Sequence, residues 1–129
     1  MQAVVRKYPD SYSASNVNGR TKKIEYNGIL LDGSWEFNFA CWCDKNGITW
    51  ERTKNGFEYV WNGNKIYYPD FYLPEINIFV EVKGFERPRD IAKWSVVDNL
   101  AIIRAHEIKK IKLDTFTIED LRTCIPSHS

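Results

Sequence analysis

The sequence predicts a mixed α/β domain: a short hairpin, then a helix, a meander of three strands, a second helix and a further strand joining a mixed sheet. Three observations carry that prediction. Residues 34–45 form an apolar run of helix length, with Ser34 suited to the N-cap and Asn46-Gly47 to the stop. Residues 78–83 are β-branched and aromatic and end at Gly84, which predicts a strand. Pro88 opens a stretch with Ile91, Trp94 and Val96 or Val97 at helical spacing, and the apolar run Leu100 to Ala105 follows it.

Taken in order, residues 1–23 form a basic arm. Arg6, Lys7, Arg20, Lys22 and Lys23 stand against Asp10 alone, a net of +4, which leaves −3 for the remainder of a chain whose formal total is +1. Its Ser, Asn and Gly content suits a loop, and its cations suit phosphates. Asn27-Gly28, between Ile24-Glu25-Tyr26 and Ile29-Leu30-Leu31, predicts a two-residue hairpin. After the helix, strands are expected at 48–52, 57–61 and 65–68, separated by Thr53-Lys54-Asn55-Gly56 and Asn62-Gly63-Asn64. On the strand 78–83, Ile78, Val80 and Val82 share one face and Phe79, Glu81 and Lys83 the other. The second helix is expected over 89–98, with a crossover that makes strand 100–105 parallel to strand 78–83. A last short helix is expected at 118–124, and residues 24–129 are expected to form one domain.

Composition narrows the function classes. The chain of 129 residues is 43% hydrophobic and 15% aromatic, ample for one core. No apolar run approaches the roughly 18 to 20 residues of a membrane span, and the start of the chain lacks a signal-type apolar core, so a cytoplasmic protein is expected. Cys41, Cys43 and Cys124 are odd in number, which argues for free thiols rather than a disulfide framework. With His106 and His128 as the only histidines, ligand spacing for zinc is lacking.

The chemistry concentrates around Asp70 and the Glu81-Val82-Lys83 triplet. Pro69 favours a bend or strand start that can bring Asp70 beside Glu81. Mg²⁺ takes oxygen ligands and usually binds through one or two carboxylates with water and substrate phosphate. A neighbouring lysine can position water or stabilise developing charge. Glu36 adds a third acid, because Phe39, Ala40 and Cys43 at i+3, i+4 and i+7 put it on or beside the buried stripe of its helix. Buried without a partner, an ionised carboxylate costs several kcal/mol. A metal or a lysine would offset that cost.

The aromatic-Pro69-Asp70-Phe71-Tyr72 segment, a ten-residue gap and the strand ending Val80-Glu81-Val82-Lys83-Gly84 resemble the PD-(D/E)XK nuclease superfamily, with its restriction-endonuclease-like fold. The helix opening Leu31-Asp32-Gly33-Ser34-Trp35-Glu36 is similar to that of small phage and homing-type nucleases related to very-short-patch repair endonucleases. The resemblance implies Asp70 and Glu81 as metal ligands, Glu36 as a further acid, Lys83 as the residue assisting hydrolysis, Mg²⁺ as cofactor with Mn²⁺ substituting, and DNA as partner. Arg20, Lys22, Lys23, Arg87, Arg89 and Lys93 are the candidate phosphate contacts. Double-strand cleavage would imply a homodimer. A structure-selective enzyme such as a junction resolvase or nicking enzyme, an RNA-directed nuclease and a non-catalytic binding module of the same fold are the alternatives.

Overall fold

The computed structural model describes residues 22–126, so Arg20 and nearly all of the basic arm lie outside the described residues. Asn27 and Gly28 take φ of 53° and 80° and close β1 (Ile24–Tyr26) onto β2 (Ile29–Leu31). Positive φ at both central residues is what a tight hairpin of matching twist requires. The next helix, α1 (Ser34–Lys45), has the bounds expected, but its N-cap is Gly33, not Ser34. Gly33 adopts φ 116°, which a side chain would resist, and Ser34 is already helical. In place of a serine cap, Glu36 reaches back and accepts the Asp32 N–H at 2.9 Å. At the other end Asn46 donates to the Trp42 carbonyl at 2.8 Å, and Gly47 at φ 68° turns the chain away.

Strands then form two separate sheets. β3 (Glu51–Arg52) is only two residues long, against the longer strand expected at 48–52. β4 (Phe57–Val60) and β5 (Asn64–Tyr67) pair only with each other, as a hairpin inserted between β3 and the strand after it. β6 (Phe71–Leu73), not foreseen as a strand, lies between β3 and β7 (Ile78–Val82), antiparallel to both. α2 (Pro88–Trp94) stops before the expected end at 98 and leads to β8 (Leu100–Ile103), which pairs parallel to β7. The main sheet thus runs β3-β6-β7-β8 and is mixed, as the α/β class predicted. Ala105 does not end a strand: it opens α3 (Ala105–Lys112), a helix the sequence reading missed, before α4 (Ile118–Thr123).

Strand alternation gives the sheet two apolar faces. One face carries Phe71, Leu73, Ile78 and Val80 and packs on Phe39 and Cys43 of α1 and Ile108 of α3. The other carries Leu100 and Ile102 and packs on Tyr59 and Tyr67 of the inserted hairpin and on Trp94 and Val97. Ile91, expected beside Trp94, instead points outward with 55% of its surface exposed. The segment after α2 turns Val97 inward, so the helix needs only one turn of apolar contact. Cys41, Cys43 and Cys124 are free thiols. No helix of the described residues is long and apolar enough to cross a membrane.

Candidate active site

The register of β6 against β7 assembles the site. Phe71 pairs with Val80, and continuing that register by one residue sets Asp70 across from Glu81. Asp70 is fixed there because its Oδ2 accepts the Val82 N–H at 2.8 Å, a backbone donor that the short β6 leaves without a strand partner. Both acids are buried, with 7% of each exposed. Glu81 lies on the hairpin side of the sheet, where its Oε1 accepts the Tyr67 hydroxyl at 2.7 Å. Burial pushes the Glu81 carboxyl up from an ordinary 4.5 to about 7. The Tyr67 hydrogen bond and the charges of Lys83 and Lys93 oppose that rise, while the charge of Glu36 adds to it.

Glu36 comes from α1 on the opposite face and is 5% exposed. Its Oε1 accepts from Arg52 Nη2 at 2.7 Å as well as from the Asp32 N–H. Arg52 also donates to the Asp70 carbonyl at 3.0 Å and the Leu30 carbonyl at 3.1 Å, and lies 3.6 Å from the Asp32 carboxylate. One guanidinium therefore ties β2, α1 and the start of β6 together, a task suited to its planar fork of donors. Even so, burial and the neighbouring Asp70 charge push Glu36 up from 4.5 to about 8, with Arg52 pulling the other way. Glu36 feels Asp70, and Glu81 feels Glu36, so the three acids share one electrostatic field. Among the described residues, however, no three His, Cys, Asp or Glu side chains close on a single point where they could hold a metal ion. Glu36 faces Arg52, and Asp70 and Glu81 are left as the opposed pair.

Lys83 follows β7, its backbone N–H held by the Ile103 carbonyl at 2.9 Å. Its ammonium stands 3.4 Å from Oδ1 of Asp90, and the same oxygen lies 3.8 Å from Lys93 Nζ. Asp90 is 3% exposed, and its other oxygen accepts the Arg87 N–H at 2.9 Å, closing the first turn of α2. Lys93 further sits over the Tyr67 ring at 5.7 Å. Arg89 donates to the Tyr59 hydroxyl at 3.0 Å. The α2 cations therefore reach the hairpin wall beside Glu81, and Arg87 stays exposed at the helix start. Lys22 is exposed, whereas Lys23 is engaged by Asp32 at 2.5 Å.

Sequence reasoning missed Arg52, Tyr67 and Asp90. Each is a partner of a residue it found, brought in by pairing or packing. The one available signal was the rule that a buried acid such as Glu36 needs a cation, which did not say which cation. The donor set of Asp70 and Glu81 fits a hard divalent cation, since both are carboxylates and two suffice for Mg²⁺. Burial raises the cost of ionising Glu81, which a bound cation would offset. No family model matches the chain, and no curated protein or solved structure gives a match either.

Proposed function

We propose that this protein is a Mg²⁺-dependent DNA endonuclease of the PD-(D/E)XK type, acting on phosphodiester bonds at the end of β7. One observation carries the reading: the antiparallel register sets Asp70 across from Glu81, with Lys83 two residues further along the same strand. Two buried carboxylates and a partly exposed ammonium at one strand end are what metal-assisted hydrolysis of a phosphate requires.

Asp70 and Glu81 would hold the Mg²⁺, with Mn²⁺ as a substitute, and the chemistry it supplies when bound is activation of water and neutralisation of charge on the phosphate. The chain's own groups do the rest. The Val82 N–H holds the Asp70 carboxylate in one orientation, and the Tyr67 hydroxyl does so for Glu81. Lys83, steadied by Asp90, places an ammonium where charge develops on the reacting phosphate. Glu36, tied to Arg52, would serve as a further acid beside the pair, its proton affinity raised by burial and by the Asp70 charge. Arg87, Arg89 and Lys93 supply positive charge for flanking phosphates.

The test is cleavage of supercoiled plasmid, a four-way junction and single-stranded RNA, each with Mg²⁺ and with EDTA. Wild type is expected to cut DNA only with the metal, and Asp70→Ala and Lys83→Ala to lose activity by at least about 100-fold. Cleavage of nothing, or undiminished cleavage by either variant, would defeat the assignment. Preference for the junction over the plasmid would make the enzyme structure-selective.

A further inference from the structure

Of the aromatic side chains among the described residues, Phe85 alone is exposed, with 72% of its surface accessible. It stands two residues beyond Lys83 in the chain. Residues 84–89 are all exposed, and this loop bears the cations Arg87 and Arg89. An isolated apolar side chain on a surface is ordinary. Phe85 differs because the loop that presents it is tied down on every side. Lys83 is anchored to Ile103, Glu86 is ion-paired with Arg104, and the Arg87 N–H is held by Asp90. Gly84 lies against the Trp35 ring, where a Cβ would stand 3.4 Å from it. The anchored backbone presents the Phe85 ring to solvent, two residues along the chain from Lys83 and from Arg87.

An exposed π-face on a loop that also bears cations matches one ligand chemistry: a nucleobase, which stacks, carried on phosphates, which pair with lysine and arginine. A base inside an intact duplex already has its stacking partners. A free ring therefore favours a base that lacks them.

We propose that Phe85 is a stacking platform for an unpaired nucleobase next to the phosphate held at Lys83, which makes single-stranded or locally unpaired DNA the preferred substrate. The inference rests on the nucleic-acid reading of the site but not on catalysis, so its test is one of binding without metal.

Fluorescence anisotropy in EDTA compares a DNA single strand, its duplex, the duplex with a one-base bulge, and an RNA single strand, for wild type, Phe85→Ala and Phe85→Trp. Wild type is expected to bind the bulged duplex and DNA strand more tightly than the intact duplex. Phe85→Ala should lose roughly 10-fold or more on the first two and little on the duplex, while Phe85→Trp keeps the preference. The salt slope should not change in Phe85→Ala, because the ring neutralises no phosphate. The fluorescence of a 2-aminopurine at the bulge should change on binding wild type and not on binding Phe85→Ala. Equal losses on all DNA forms, no loss on any, or absence of binding overturns the proposal, and tighter binding of RNA than DNA overturns its choice of substrate. Binding with this pattern but no cleavage in Mg²⁺ would defeat the nuclease reading and leave the stacking site standing. Cleavage without a Phe85-dependent preference would do the reverse.

Discussion

Replacing Glu81 by Gln should make the metal-free protein more stable at alkaline pH and leave it unchanged in acid. The Glu81 carboxyl is pushed up from 4.5 to about 7 in the folded chain, chiefly by burial. A tenfold change in proton affinity is worth about 1.4 kcal/mol, so ionising Glu81 in place costs the fold about 3 kcal/mol relative to the unfolded chain. The sign follows from where the proton sits. Below pH 4.5 both states hold it and nothing is lost. Between 4.5 and about 7 the folded chain keeps a proton that the unfolded chain releases, so stability falls as pH rises, and the loss is complete above about 7. Glutamine keeps the shape and an oxygen for the Tyr67 hydroxyl but never ionises. Urea unfolding in EDTA should therefore give nearly equal stabilities near about pH 4, and a gap of roughly 2 to 3 kcal/mol in favour of Glu81→Gln near about pH 8.5. Mg²⁺ should close that gap by stabilising wild type alone, by about 2.7 kcal/mol at a hundredfold excess over its Kd. Parallel curves for the two proteins from about pH 5 to 9 would refute the reasoning, since they would mean that Glu81 ionises as easily folded as unfolded.

Other perturbations report on the partners. Arg52→Met removes the cation facing Glu36 and should cost roughly 2 to 4 kcal/mol, discounted for the guanidinium's partial exposure, and Glu36→Gln in that background should recover part of it in a double-mutant cycle. Asp90→Asn preserves size but loosens Lys83 and Lys93 together. It should lower single-turnover cleavage by about 10-fold or more with little change in DNA affinity. Gly56→Ala would drive a Cβ to 2.3 Å from Ile66 Cγ2, so thermal unfolding should show a loss of about 1 to 3 kcal/mol from the β4–β5 hairpin.

Local signals in the sequence were sufficient where an element's own residues determine it. Asn27-Gly28 supplied the two positive φ angles of a hairpin, and α1 ran from 34 to 45 as its apolar run and Asn-Gly stop required. β6 was hidden because its three residues lie between Pro69 and Pro74, and prolines bound turns as often as strands. α3 was hidden because, between Ala105 and Lys112, only Ile108 and Ile111 are large and apolar, and its N-cap is Arg104 rather than a short polar residue. Strand alternation predicted Glu81 on the strand face opposite Val80, and the bend expected at Pro69 matches the register that sets Asp70 across from Glu81. Arg52, Tyr67 and Asp90 were not legible, since each enters from another element, and no local periodicity encodes which donor a folded chain brings to a buried acid.

The charges around Glu81 support the proposed cation site over a purely structural ion-pair network. A network that served only the fold would set a cation in contact with each buried anion. Glu36 has one, in Arg52, yet the Asp70 charge still pushes its carboxyl upward. Among the described residues, the hydrogen bond Glu81 accepts is from the neutral Tyr67 hydroxyl, although two lysines are near enough to lower its proton affinity. The ion pairs those lysines make are to Asp90, which draws both ammonium groups to the α2 side of the site. Had either lysine paired with Glu81 directly, the carboxylate would be neutralised and the strand end inert. Asp90 thus holds both ammonium groups on the α2 side, while Glu81 faces Asp70 across the strand pair. The proposed function gives that separation of charge a use, since a divalent cation would meet the buried Glu81 carboxylate and the lysines would meet a phosphate.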